Sequence, residues 1–583
     1  MLNNKKLHIF FIILIFILAI FLRSYNFSDW LHFELDQSRD AKVIDLALEN
    51  GPQYLPLLGP KAAGSFLRLG PIFYYFKYIS GLLFGNTPSG IAVIILIFGI
   101  LAVPVAYLLL RRYFNKWISL SILSLFTTSL FLIMYSRFSW NPNALPFFTI
   151  LTAYAVLRAV DQEEKNSGIW LLVASAGLSV SIQLHFLAFV SVPVITFIFL
   201  AIKRPKIRWV YWLGAIGIII FFNLPVLINE VKTGGGNIKE FQEVVRGKSN
   251  KDGQKNLIEK VVRNYSEDAK NYWLILSSKN SEIPTLDLNP KADIKCDQKC
   301  RDGLFLVILS FVFVSAGLIL LFRNFCTEKG NRKKDFLTLL SIWFVVCFVL
   351  FIPLAYDISP RFWLIVAFLP FIFLGFILDF FRKLLPRQFS IPLIAIITLI
   401  LLGSNLQEDY LRFNELAKAK SKPVIVSADR ILKEKTRVTL DQQYDIINYI
   451  ISLQKQNNYP VYLNSDPQYR RSFMFHLDQR SIPRDDIRNI SISKKIYANG
   501  NYFLIYPTLS DWQKDLDKYS ESYSLVDKKE FGTLTVFRIS PKPEAVTDTQ
   551  QVIEPRKKSE SAPGVPERFT WEEIFSEDSE KSE

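Results

Sequence analysis

Cysteine is scarce, 4 in 583 residues, which excludes a small scaffold stapled by disulfides. No Gly-rich phosphate loop of Rossmann or P-loop type occurs, so the sequence offers no ready cradle for a nucleotide. No inverted internal repeat of the kind that builds many transporters is visible. Charged residues make up 21% of the chain, and they are sparse across a series of long apolar runs. What is abundant is hydrophobic: 50% of the residues, with 49 Phe, 24 Tyr and 11 Trp, and a mean hydropathy of +0.22. That balance excludes an ordinary cytosolic enzyme, and it excludes disorder over most of the chain. The net charge of +15 invites a nucleic-acid reading, but the placement of the cations argues against it.

A bilayer core of about 30 Å needs roughly 20 apolar residues of helix. The first such run, Leu7 to Leu22, follows Lys5 and Lys6 and ends in Phe21-Leu22-Arg23. With no small-residue cleavage site after it, it reads as an uncleaved anchor helix and not as a signal peptide. Further runs begin near Ile91, Trp117, Ala144, Gly168, His185, Val210, Leu304, Phe336, Phe362 and Ser390, which predicts about eleven spans. Arg111, Arg112 and Lys116, then Lys203 to Arg208, then Arg323 to Lys334, then Arg382, Lys383 and Arg387 all fall in loops on the side of the N-terminus. By the positive-inside rule that side is cytoplasmic, and the basic excess is largely this orientation signal. An odd number of spans then places the C-terminal domain outside, with the loops 23–90 and 230–302 and the turn Tyr356 to Arg361. In loop 230–302, Cys296 and Cys300 lie where an oxidising exterior permits a disulfide, and no His lies nearby to favour a metal.

The expected division is a transmembrane domain over 1–404, a small extracytoplasmic α/β domain over 405–540 and a disordered tail over 541–583. Asp441 to Lys455 reads as an amphipathic helix with Ile446, Ile447, Ile450 and Leu453 on one face. Pro460 to Leu463, Tyr502 to Ile505 and Leu534 to Phe537 read as short strands. Beyond Pro541, Pro, Ser, Glu and Lys dominate.

Ionisable groups beside a membrane core are costly and point to function. Just past the first span, Glu34, Asp36, Arg39 and Asp40 fall within a few residues, and on a helix Asp36 and Asp40 share a face. A carboxylate held at the lip of a bilayer suits a general base, and ordinary acidic capping of a helix N-terminus is the other reading. Downstream, Leu58 to Tyr75 is rich in Gly, Pro and aromatics, with Lys61 and Arg68 as its cations and Tyr74 and Tyr75 at its end. It suits a segment lying on the membrane. The second outer turn, Tyr135 to Ala144, packs Arg137, Trp140, Asn141 and Asn143 together, and Asn-Pro by itself could serve only the turn. Gln183 and His185 mark the hinge between the fifth and sixth spans, where a lone His can equally be structural. Tyr356-Asp-Ile-Ser-Pro-Arg361 caps the ninth and tenth spans, placing a guanidinium at the outer surface where a phosphate could be held.

Four segments together resemble the multi-spanning glycosyltransferases that use polyprenyl-phosphate sugars, a family that includes the protein O-mannosyltransferases and the aminoarabinose transferases. They are Leu22-Arg-Ser-Tyr25 running into Asp36-Gln37, Gly70-Pro-Ile-Phe-Tyr-Tyr75, Ser136-Arg137 and Ser359-Pro-Arg-Phe362. The resemblance covers roughly Leu7 to Leu402. It implies a polytopic α-helical membrane protein of the C-type glycosyltransferase fold. It also implies inverting transfer of a hexose or pentose from an undecaprenyl- or dolichyl-type phosphate to a lipid, glycan or protein acceptor on the outer face of the cytoplasmic membrane. Asp36 would be the catalytic base, with Glu34 and Asp40 as secondary acidic candidates. Arg361, Lys61, Arg68 and Arg137, in that order, would bind the donor phosphate. Tyr74, Tyr75, Asn141, Asn143, His185 and Tyr356 would contact sugar or acceptor. Two departures stand out: the family's Asp-Glu pair is Asp36-Gln37 here, and Asn141 and Asn143 stand where many relatives carry another acid. The scheme requires no metal or other cofactor and no nucleic acid. The competing class is a transporter or flippase of a lipid-linked or anionic solute, which would place charges within the spans.

Overall fold

The structure is a computed structural model. It describes residues 4–62, 66–246, 255–280, 282–283, 285–287, 293–296, 298–426, 429–488, 495–553 and 568–580. Helices dominate up to residue 419: α1 (Asn4–Ser24), α2 (Leu35–Asn50), α3 (Ile72–Phe84), α4 (Pro88–Leu110), α5 (Lys116–Thr128), α6 (Leu130–Tyr135), α7 (Leu145–Val160), α8 (Ser167–Leu184), α9 (Phe186–Lys203), α10 (Trp209–Lys232), α11 (Gly236–Arg246), α12 (Leu257–Ser277), α13 (Gln298–Asp302), α14 (Leu304–Thr327), α15 (Asn331–Phe351), α16 (Leu369–Leu384) and α17 (Arg387–Ala419). Between α12 and α13 a short antiparallel ladder of three residue pairs joins β1 (Thr285–Asp287) to β2 (Asp293–Lys295), and Cys296 is disulfide-bonded to Cys300.

Nine of these helical segments among the described residues are long and apolar enough to cross a bilayer, or ten when the pair Pro360–Val366 and Leu369–Leu384, bent by 57°, forms one span. The expectation of about eleven differs from this count at the run from Trp117. That run is broken at Ser129 into α5 and α6, so neither piece reaches bilayer length. The break is stable because side chains take over the freed backbone groups. Arg23 Nη1 donates to Thr127 O at 3.0 Å, Ser129 Oγ donates to Ile275 O at 2.6 Å, and Leu130 N donates to Ser278 Oγ at 3.0 Å.

The bundle has two chemically different ends. At one end the short basic loops meet: Asp161 is paired with Arg112 at 2.7 Å and Arg332 at 2.9 Å, Lys203 with Asp335 at 2.6 Å, and Arg382 with Asp379 at 2.8 Å. At the other end sit α2, α3, the turn 355–361 and the C-terminal domain. Between the ends the core is apolar and aromatic, with Trp343, Trp363 and Phe373 fully buried.

In the C-terminal domain the amphipathic helix runs over Leu440–Gln454 (α18), and a second helix, α19, over Arg470–Gln479. They pack on a five-stranded sheet of β3 (Val461–Ser465), β4 (Arg484–Asp486), β5 (Asn501–Pro507), β6 (Tyr523–Phe531) and β7 (Leu534–Pro541), in the order β4-β3-β5-β7-β6. β3 runs parallel to both β4 and β5, and β7 runs antiparallel to β5 and β6. β3 is buried on both faces, as a strand covered on two sides must be. β6 is the exposed edge and carries Lys528, Lys529 and Glu530, charges that discourage pairing with another chain.

This domain is seated on the loop that leads into α2. Asp441 N donates to Asp29 O at 3.1 Å, and Phe33 O accepts from Gln443 Nε2 at 2.9 Å and Ser472 Oγ at 3.1 Å. The disordered tail expected over 541–583 is corrected in part. Residues 568–580 include a helix over Trp571–Glu580 and lie against the loop 55–57, held by Leu57 N donating to Phe569 O at 2.8 Å. Residues 554–567 and 581–583 lie outside the described residues.

Candidate active site

The acidic cluster folds as the first turns of α2. Glu34 is its N-cap, and Gln37 Oε1 accepts from Glu34 N at 3.1 Å, so the glutamine that departs from the family's acidic pair serves as a capping partner. Asp36 and Asp40 do share a face, and Arg39 spans them. Its Nη1 lies 2.9 Å from Asp36 Oδ1, while Nε and Nη2 lie 2.9 and 2.7 Å from Asp40 Oδ1.

The three carboxylates differ sharply in environment. Asp36 is 42% exposed at its side chain. Asp40 is fully buried between Arg39 and Lys77, whose Nζ is 3.1 Å from Asp40 Oδ2, and Tyr74 OH donates to it at 3.3 Å. Burial alone would raise its pKa, but the two cations outweigh burial and hold it below the usual carboxylate range. Breaking such a buried pair costs about 3–5 kcal/mol, so Asp40 is a structural anion and is removed from the list of possible bases. Glu34 is also removed. It accepts from Gln468 Nε2 at 2.5 Å and lies 3.5 Å from His32 Nδ1, which ties α2 to the C-terminal domain. Lys77 could have been noticed in the sequence as the one cation inside the apolar run Ile72 to Phe84.

The cations expected to bind phosphate differ as well. Arg361 stacks over the Trp140 ring at 4.6 Å, forms no hydrogen bond or ion pair with the described residues, and is close enough to be attracted by the Asp36 carboxylate. Lys61 and Arg68 face each other across an antiparallel hairpin, in which Gly59 N donates to Leu69 O at 2.7 Å and Leu69 N to Pro60 O at 3.0 Å. The strands approach so closely that a Cβ on Gly59 would lie 2.2 Å from Gly70 O, while a Cβ on Gly70 would lie 2.3 Å from Gln183 Oε1. Lys61 lies over Phe66 at 4.4 Å. Arg68 is buried, with Nη1 3.3 Å from Gly59 O.

Other expected site residues are turned inward. Arg137 donates to Leu22 O at 3.2 Å, Arg23 O at 2.9 Å and Tyr25 O at 2.7 Å. It caps the carbonyl end of α1, where a cation is favoured, and is corrected from phosphate ligand to helix clamp. Asn141 Nδ2 donates to Leu184 O at 2.6 Å and Asn143 Nδ2 to Phe138 O at 2.8 Å, so both fasten the turn. His185 Nδ1 accepts from Leu187 N at 3.2 Å, capping α9, with its ring 5.2 Å from Phe362. Tyr75 OH donates to Pro56 O at 3.3 Å. Tyr356 lines a cavity of about 380 Å³ between α12 and the turn 355–363, along with Arg263, Lys270, Arg430 and Lys433.

One group among the described residues has metal-ligand spacing: His32, Glu34 and Glu434. His32 Nδ1 lies 2.7 Å from Glu434 Oε1, and Glu434 also pairs with Arg437 at 2.5 Å and Arg412 at 3.4 Å. With two arginines already on the carboxylate, the group is an ion-pair hub that joins the 29–34 loop to the end of α17. Burial works against a charged His32, but Glu34 and Glu434 outweigh it and lift its pKa to about 9. The sign follows directly: the stabilisation is complete below the ordinary His value near 6.5 and is lost as pH rises through about 9. Thermal unfolding in detergent should therefore show a loss of stability of about 2–3 kcal/mol between pH 6.5 and pH 9 that His32→Gln lacks. Identical pH profiles for the two proteins would refute the hub.

Residues 69–228 match the family model of the dolichyl-phosphate-mannose-protein mannosyltransferases. No curated protein sequence matches the chain. Among solved structures, the chain is similar to ArnT from Cupriavidus metallidurans bound to undecaprenyl phosphate, at 12% identity and a TM-score of 0.52, covering 94% of this chain and 100% of that one. It is also similar to the archaeal oligosaccharyltransferase AglB from Archaeoglobus fulgidus in complex with an inhibitory peptide and a dolichol-phosphate, at 12% identity and a TM-score of 0.51, covering 94% and 75%. Such distant likenesses establish the fold, which extends over nearly the whole chain. The chain is thus a multi-pass membrane protein with the C-type glycosyltransferase fold, and its residues 69–228 match the mannosyltransferase family model.

Proposed function

We propose that this protein transfers a sugar from a polyprenyl phosphate to an acceptor at the end of the bundle that carries α2. The observation that carries the reading is the exposed Asp36 carboxylate within electrostatic reach of Arg361, a half-buried arginine with no ion-pair partner among the described residues. The matched mannosyltransferase domain and the lipid phosphates in the similar structures support the same donor class. In the reaction an acceptor hydroxyl or amine attacks the anomeric carbon and gives its proton to Asp36. The bond from that carbon to the phosphate oxygen breaks, and its electron pair leaves with the polyprenyl phosphate. Arg361 stabilises the charge that grows on the phosphate, and Lys61 and Arg68 on the hairpin are the further cations assigned to it. This scheme routes no step through a metal.

The test is turnover by the purified protein in liposomes. A polyprenyl-phosphate sugar supplied with a membrane extract as the acceptor source should be consumed, with release of polyprenyl phosphate and inversion at the anomeric carbon. Binding of the lipid without any such release would refute the reading and favour transport.

We also propose that the N-terminus is cytoplasmic and that the site and C-terminal domain face outward, since the basic loops gather at the opposite end. Cysteine at Asn457 should label from outside with an impermeant thiol reagent, and cysteine at Arg112 should not. The reverse pattern would overturn the orientation.

A further inference from the structure

The C-terminal segment lies against the hairpin loop as a strap. Pro56 pairs antiparallel with Thr570, and Trp571 N donates to Leu55 O at 3.3 Å. Phe569 N donates to Asn229 Oδ1 at 3.2 Å, Trp571 Nε1 donates to Tyr75 OH at 3.0 Å, and Ile574 is buried. Thr570 and Glu573 cap the helix that follows, with Thr570 N donating to Glu573 Oε2 at 2.6 Å. These contacts set Arg568 over the Tyr74 ring at 5.4 Å, with Nη1 3.5 Å from Tyr74 OH.

Arg568 is thereby brought within electrostatic reach of Arg68. Arg68 is 9% exposed, and its Nε is buried with no hydrogen-bond partner. Burial, then Arg568, then Arg39 lower its pKa to about 10, so these guanidiniums repel one another. The nearby carboxylates Asp36 and Asp40 are already bound by Arg39. An orphaned, buried N–H of Arg68, close to a second guanidinium that has no carboxylate partner among the described residues, suits an anion. A phosphate ester can accept from two guanidiniums at once, as a carboxylate-sized pocket of neutral donors could not.

We propose that Arg568 and Arg68 form a phosphate-binding pair that is complete only when the C-terminal strap is docked, and that the ligand is the phosphate ester of the donor lipid. This rests on the reading that the donor is a polyprenyl-phosphate sugar. The strap is then a working part of the site, contributing a charge from about 500 residues away in sequence. Trp571 acts only as a positioning residue, through its hydrogen bond to Tyr75.

The experiment titrates the purified full-length chain in detergent with undecaprenyl phosphate and, separately, with inorganic phosphate. Arg568→Gln should weaken binding of undecaprenyl phosphate about tenfold, the loss of one charge-assisted contact. Arg568→Lys should recover part of it. Trp571→Ala, which unfastens the strap and keeps the charge, should lose as much as Arg568→Gln. Unchanged thermal unfolding of the variants shows that the fold is intact. A parallel loss of inorganic-phosphate binding supports the pair, and a loss confined to the lipid overturns it, because the arginine would then not be reading phosphate. Wild-type affinity in both Arg568→Gln and Trp571→Ala also overturns it. If the wild-type chain itself does not bind undecaprenyl phosphate, the donor reading fails and not this inference alone.

Discussion

Asp36→Asn lowers the rate of sugar transfer by about 10²–10⁴-fold, the usual cost of removing a positioned general base. The asparagine keeps the shape and can still accept from Arg39, which lies 2.9 Å away, so folding and lipid-phosphate binding persist. The neighbouring acids make poor substitutes and poor controls, each for its own reason. Asp40→Asn leaves Arg39 and Lys77 facing each other in a buried site, so it should destabilise the protein before it says anything about the chemistry. Glu34→Gln removes one anion from His32 and should loosen the seat of the C-terminal domain. The informative measurement is turnover of Asp36→Asn at saturating donor, compared with its thermal unfolding and its affinity for polyprenyl phosphate. Near-normal turnover would remove Asp36 from the mechanism.

Arg361→Ala should cost about 10²–10³-fold in kcat, the scale for removing one preorganised stabiliser of developing charge. It should also raise the KM for the lipid donor, since the same contact is made before reaction. Arg361→Lys keeps the charge but loses the planar face that stacks on Trp140 at 4.6 Å, and with it the fixed direction of the N–H groups. It should therefore remain impaired, by a smaller factor than alanine. Normal kinetics for Arg361→Ala would transfer the phosphate role to Lys61 and Arg68 on the hairpin.

Arg137 and Arg361 show why local sequence sorts such candidates only partly. Both are arginines in short turns, each followed directly by a phenylalanine. One is consumed by the carbonyls that end α1, more than 110 residues earlier in the chain, and the other is left with a ring for company. Nothing within either turn carries that difference. Asn141 and Asn143 behave in the same way, since their acceptors are the backbone carbonyls of Leu184 and Phe138. The strap had a local signal: Phe569, Trp571, Ile574 and Phe575 surround a Thr-x-x-Glu cap within an otherwise polar tail. Composition averaged over the tail hid it.

Hydrophobic runs and their basic flanks determined the membrane bundle, the end at which a site could form and the α/β domain after it, because burial of apolar side chains is a property of the stretch that carries them. The same local reading placed Asp36 at the head of α2 and Arg361 ahead of a late helix. Only the tertiary structure decided which charges are free to act. Lys77 neutralises Asp40, the carbonyls of Leu22, Arg23 and Tyr25 occupy Arg137, Ser278 and Ile275 hold open the break at Ser129, and the strap brings Arg568 to Arg68. The physical reason is that an ionised or polar group is committed or available according to the partners within a few ångströms of it, and in this fold those partners come from distant parts of the chain.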